Sequence, residues 1–560
     1  MLTSARAWAL VIIGSAAITA IPFLFYINIT GSPLPNVLIQ LQSDSLYYLV
    51  QVRELIDGHT SLGNPYLLEH ANDVFPGMIT PIWITAFPAL LGFSINTTFA
   101  INALLYSLLT GVLLYIFCNK VRKNSRWIHV LIAIAGVALL HNLLIRPVMQ
   151  IVLPCYLLIA ITLFDVLRKP HDSKHYVALG MLCTLAFYMY LYLWMSTFVA
   201  VGLYVLWRIV CKDWIAVRYS ILMGIAVGLF CLPQILSIIS VFNDPNAALI
   251  SARTGLIETH RIHPLTIMNL KYVIVLCAGL AFVHMRRALR SEELLLLLLG
   301  LGLIIAAMSN VVTGTEIDFR THFWRLSLPL GIIAIAVLLQ SVKGRVVRTE
   351  RVVVLGILCL LIATAINRTV IRANSFAYIR NAKRVIKQQV QYGDYHRVLS
   401  VLSNEDDTEY VVMSDSGLAQ YIPLYTQHYV LSSAKAALHS AAPQELLERM
   451  LINNVDHIDA AYVEEKANAV YGYGPGHQAS YARVYGKQVS DTDFIPKEFT
   501  KDALALHTDI SNNYQSYINK YNVDFIVGDT ESPQQLRIPK GAGILFGDER
   551  FTIYDLRAMQ

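Results

Sequence analysis

The sequence predicts an all-α polytopic membrane domain of about eleven transmembrane helices, followed by a small α/β extracytoplasmic domain. Three observations lead there. The 560 residues are 55% hydrophobic and 15% charged, with mean hydropathy +0.51, whereas soluble chains carry roughly 25% charged residues. Apolar runs of about membrane-spanning length recur through the first two thirds of the chain. Charge then splits: from Arg372 onward there are 18 Lys/Arg and 23 Asp/Glu, a balance of −5, so the rest carries +11 of the net +6. The boundary expected from this is 1–371 for the membrane domain and 372–560 for the soluble one. The positive excess lies in short loops between apolar runs and gives no reason to invoke nucleic acid; the partner it implies is the lipid bilayer.

The first apolar run, Ala7 to Ile27 after Arg6, is too long for a signal-peptide core and reads as a retained helix. Spans are expected at 7–28, 96–118, 127–145, 147–167, 176–192, 193–210, 219–240, 272–285, 293–310, 326–341 and 352–371. The stretch 176–210 is one continuous run, divided on length alone. With the N-terminus inside, the inside loops hold 18 Lys/Arg and the outside loops seven. This obeys the positive-inside rule, and an odd number of spans leaves 372–560 outside, at a cell inner or plasma membrane. Residues 79–93 (ITPIWITAFPALLGF) are apolar, short and interrupted by Pro81 and Pro88, so they predict a helix lying in the outer interface.

All seven cysteines fall in or beside the apolar runs, with neither disulfide nor zinc spacing. In the tail, RVLSVL, EYVVMSD, QHYVLSS, VDFIVGD and FTIYDL read as strands and PQELLERMLINN as a helix.

Fifteen carboxylates precede residue 372, and none falls in the middle of a span. Nine lie on the outside, which favours chemistry at the outer surface over a transporter with carboxylates at mid-membrane. Three outside loops are long enough to hold it: 29–95, 241–271 and 311–325. In the first, Ser43 can cap a helix that runs to Asp57 and stops at Gly58, with Asp44 in its first turn. Read plainly, Asp44 there only complements the helix dipole. Tyr188, Tyr190, Tyr192 and Trp194 fall at an outside helix junction, where aromatic-belt packing is expected and a sugar-stacking or isoprenoid-lining role is the alternative.

An acidic residue in a long first outside loop, here Asp44 in QSDSLYYLVQVRELIDGHTSLGNPY, followed by an interfacial proline-containing segment, PIWITAFPALLG, resembles the GT-C superfamily of glycosyltransferases. The resemblance covers roughly residues 1–371. It implies a GT-C-like, inverting hexosyl- or pentosyltransferase that draws a sugar from a polyprenyl-phosphate carrier and passes it to a lipid, glycan or protein acceptor on the outer face. Asp44 is then the catalytic base. The family's adjacent second acid is missing here, so Asp73, or Glu69, is the carboxylate left to supply it. Tyr47, Tyr48, Glu69 and His70 are expected to line the substrate. Such a transfer needs cations where charge develops on the departing phosphate. Arg320, His322 and Arg325 in EIDFRTHFWRL suit that role, with Arg261 of the second loop as a further candidate. No cofactor is required by the sequence; a divalent cation, Mg2+ or Mn2+, held by Asp44 is the alternative to the base role. The WWD-type motif of oligosaccharyltransferases is absent. Two other classes compete with the transferase: a lipid or glycan transporter, and a non-enzymatic envelope assembly protein that displays its C-terminal domain.

Overall fold

A computed structural model describes residues 4–30, 45–75, 77–121, 126–245, 247–253, 256–262, 264–316, 322–341, 355–356, 359–362, 382–406, 408–471 and 495–559. The chain divides into two compact units. One comprises residues 1–35, 96–235 and 259–386; the other comprises 36–95, 236–258 and 387–560.

Among the described residues, eight helices are long and apolar enough to cross a membrane. They are α1 (Ser4–Thr30), α4 (Ile95–Val121), α5 (Arg126–Leu144), α6 (Met149–Arg168), α8 (Leu191–Val210), α9 (Trp214–Phe242), α11 (Pro264–Arg286) and α12 (Ser291–Ala307). Two more of the expected segments are helical but shorter or less apolar: α7 (Ser173–Met189) and α14 (Phe323–Ser341). The eleventh, 352–371, lies outside the described residues except for 355–356 and 359–362.

The long run 176–210 breaks at Tyr190 rather than between 192 and 193. Tyr190 adopts an extended backbone (φ −162, ψ 120). The two helices fold back on each other: the Phe187 and Trp194 rings are 5.0 Å apart near the turn, and Tyr176 and Tyr204 share a 2.7 Å hydrogen bond at the far end. Helix α12 packs along α8. A Cβ on Gly302 would lie 2.6 Å from the Ser196 carbonyl oxygen, so only glycine permits this approach. Close contact through small residues is what holds helices together where lipid removes the hydrophobic drive.

The second unit carries a five-stranded mixed sheet. Its strands are β1 (Val411–Met413), β2 (Tyr429–Val430), β3 (Val523–Asp529), β4 (Gly543–Gly547) and β5 (Phe551–Asp555), in the order β2-β1-β3-β5-β4. β1 runs parallel to β2 and β3, whereas β5 is antiparallel to both β3 and β4. Of the expected strands, RVLSVL is corrected: Arg397–Leu402 belong to a helix, Ala382–Ser403. Its apolar residues Val398, Leu399 and Leu402 recur at the helical period and are all buried. β4 was not expected, because its glycine-flanked GILFG is largely exposed and lacks an apolar face.

Onto this sheet fold the two remote segments. Helix α2 (Ser45–Ile56) buries Leu46, Leu49, Val50, Val52 and Leu55. It ends before Gly58, whose φ of 101 supplies the left-handed terminator. The Val430 amide donates to the Tyr66 carbonyl at 2.9 Å, and the Asn64 amide donates to Ala436 at 3.3 Å. From the other segment, Arg253 donates to the carbonyls of Ala441 (2.7 Å) and Val470 (3.0 Å). Residues 79–93 form α3 (Ile79–Leu90), too short to span. It buries Ile82, Thr85, Ala86 and Ala89 and exposes Trp83, Phe87 and Leu90, the pattern of a helix seated between protein and an apolar medium.

Candidate functional site

The membrane unit gathers cations around Tyr190. Helix α6 enters through the link 145–148, which carries Arg146, buried with 6% exposure. Two residues on, Val148 is held at φ 67, ψ −56. That conformation is costly for a β-branched side chain, on the order of 1–3 kcal/mol, and persists only where surrounding packing imposes it. At the start of α14, His322 stacks on Tyr190 (centroids 6.1 Å, 20°) and meets Tyr192 edge-on at 5.0 Å. Burial, then Arg325 and Arg146, hold the His322 imidazole well below its usual range, so it is neutral. Burial, then the like charge of Arg325, likewise lowers Arg146. A guanidinium keeps its proton regardless. Two permanent cations therefore repel each other beside a neutral imidazole that can donate or accept. A bound phosphate would relieve that repulsion, and guanidinium forks match its oxygens.

Of the expected phosphate ligands, this arrangement brings together His322 and Arg325. Arg320 lies outside the described residues. Arg261 is exposed, its amide donating to the Thr259 hydroxyl at 3.1 Å and its carbonyl accepting from Asn310 at 2.9 Å. Arg146 escaped the sequence reasoning, which counted it only as one of seven outside-loop cations. The signal that could have flagged it was an arginine between two apolar runs with no carboxylate nearby in sequence.

In the second unit, Asp44 lies outside the described residues, immediately before the first residue of α2. Tyr47 and Tyr48 contact each other edge-on at 5.4 Å, and Tyr47 also faces His439 at 5.8 Å. Glu69, His70 and Asp73 sit in one ion-pair network with the tail. Arg449, 1% exposed, binds Glu69 at 2.6 Å and Glu445 at 2.9 Å and stacks 4.1 Å from the Tyr521 ring. His70 donates Nε2–H to Glu445 (2.9 Å) and Nδ1–H to Asp73 (2.6 Å). These carboxylates, Glu445 first, raise His70 to about 9, so it is an imidazolium at neutral pH. Asp73 thereby faces a cation across a 2.6 Å ion pair.

A second acidic group lies along α2. Glu54 is buried, accepts from the Tyr429 hydroxyl at 3.4 Å, and is pushed up to about 8, first by burial and then by Asp57 and Glu409. His59 bonds Glu409. Among the described residues, no group of three or more His, Cys, Asp or Glu is arranged to hold a metal ion.

Both shifted groups give stability the same sign of pH dependence. Glu54 binds its proton more tightly folded than unfolded, so its contribution is full below about pH 4.5 and is lost as pH rises through 8. His70 contributes fully below about 6.5 and loses its contribution as pH rises through 9. The contribution of these two groups to the melting temperature should therefore fall from pH 5 to 9.5. Glu54→Gln should flatten the lower part of that fall and His70→Gln the upper part. Melting curves of both variants unchanged in slope would show that neither group titrates in this window.

Compared with known proteins, the chain matches no family model and no curated relative.

Proposed function

We propose that the chain is a membrane glycosyltransferase that moves a sugar from a polyprenyl-phosphate carrier to an acceptor on the outer face, with eleven spans and the C-terminal domain outside. The observation that carries this reading is the pairing of two cations, buried Arg146 and half-buried Arg325, with buried neutral His322 at the Tyr190 end of the membrane helices. Like charges are costly to bury together, and a phosphate-bearing ligand is what makes such a cluster useful. In this reading the cluster holds the carrier's phosphate and stabilises the charge that builds on it as the sugar leaves. Asp44, which precedes α2 in the sequence, takes the proton from the acceptor hydroxyl. The eleventh span and the outward tail rest on loop charge.

The test is sugar transfer by the purified protein from a synthetic polyprenyl-phosphate sugar, with Arg325→Lys and Arg146→Lys compared. Lysine keeps the charge and loses the fork. Losing one hydrogen bond to a charged group costs about 1.5–3 kcal/mol, roughly ten- to hundredfold in donor use. Wild-type rates in both variants would move the phosphate site elsewhere; absence of transfer by the wild-type protein from every carrier sugar tried would end the transferase reading.

A further inference from the structure

A groove of about 360 Å³ runs between α7 and α9, its mouth at the ends of these helices remote from Tyr190. Its walls are apolar: Met181 and Val177 on α7, Leu222, Met223 and Phe230 on α9. Gly180 leaves a notch over Met223, where a Cβ would sit 3.0 Å from that side chain. From Tyr219 at its near end to Phe230, the groove follows 12 residues of α9, which are 11 helical steps. At a rise of 1.5 Å per residue this is about 16 Å, roughly half the hydrocarbon thickness of a bilayer. The far end is closed where the Tyr188 hydroxyl donates to the Phe230 carbonyl at 2.9 Å.

The near end opens at Ser173 onto the polar link Lys169–Ser173. The two carboxylates there are engaged. Asp172 caps α7 through the Lys174 amide (3.2 Å), and Asp213 binds Arg208 (3.1 Å) and His171 (3.0 Å). Lys169, Lys174, Lys212 and Arg218, on the links and helix starts at this end, are exposed and make no ion pair among the described residues. An apolar slot one leaflet deep, with surplus positive charge at its mouth, has the form of a lipid: a chain within and an anionic headgroup above.

We propose that this groove seats one acyl chain of an acidic phospholipid from the leaflet on the Lys169–Ser173 side, its phosphate resting on Lys169 and Lys174. The site is separate from the cation cluster around Tyr190 and does not depend on the proposed transferase activity. Basic residues at a membrane surface each favour anionic lipid by about fivefold.

The experiment is native mass spectrometry and thermal melting of the purified protein in neutral detergent. Phosphatidylglycerol and phosphatidylcholine of identical chains are added in turn. The wild type should retain one phosphatidylglycerol and be stabilised by it more than by phosphatidylcholine. Ala226→Phe fills the groove from an exposed position of its wall, and the double variant Lys169→Gln, Lys174→Gln removes the headgroup contacts. Each should lose the retained lipid, the double variant losing its preference by roughly twentyfold or more, while melting without lipid stays at the wild-type temperature. Should Ala226→Phe misfold, the charge variant alone decides. Equal stabilisation by both lipids, or an unchanged preference in the charge variant, overturns the proposal. So does one-for-one displacement of phosphatidylglycerol by a polyprenyl phosphate, which would make the groove a carrier site.

Discussion

Replacing Arg449 by leucine should destabilise the unit formed by residues 36–95, 236–258 and 387–560 by about 3 kcal/mol. Breaking a buried ion pair by removing one partner costs roughly 3–5 kcal/mol, because the other charge is left without compensation. Here the lower end applies, since Glu69 is 38% exposed and water can reach it. Arg449 also donates to the Leu431 carbonyl and stacks on Tyr521, so the leucine variant strands a backbone acceptor and loses a cation–π contact. Arg449→Lys should lie between leucine and wild type, keeping charge without the fork. Chemical unfolding of the purified chain measures both. A leucine variant that unfolds at the wild-type denaturant concentration would mean that Glu69 and Glu445 are as well satisfied by water.

Changing Asp44 to Asn should leave the protein folded and lower sugar transfer by about 10²–10⁴. Asparagine preserves shape and helix-start preference while removing basicity. If Asp44 does no more than complement the dipole of α2, the effect is a stability change under about 1 kcal/mol and near-normal turnover. Transfer and melting are therefore measured on the same preparation. A stable variant with wild-type turnover excludes a base at this position. In a stable but inactive one, the response of the wild-type protein to a chelator separates a proton-accepting Asp44 from one that holds Mg2+ or Mn2+.

What the sequence by itself determined is local in origin. Eight spans are legible because a bilayer demands about 20 consecutive apolar residues, a property any window of the chain displays. The stop of α2 at Gly58 and the strands around Val411–Met413 and Val523–Asp529 follow from turn chemistry and short-range pattern. RVLSVL failed at that level only because a six-residue run fits both periods, and its flanking polar residues hid the helix it completes. The tertiary structure alone decided which distant residues meet. His70 and Glu445 are 375 positions apart, and nothing in either neighbourhood announces that the first loop folds onto the tail's sheet. The same holds for Arg146, an ordinary loop cation by sequence. It becomes a candidate phosphate ligand because α6 and α14 bring their ends to Tyr190, where burial strengthens the field of Arg325. Period and hydropathy specify what each segment must bury. Which charges share a low-dielectric site depends on how the segments pack.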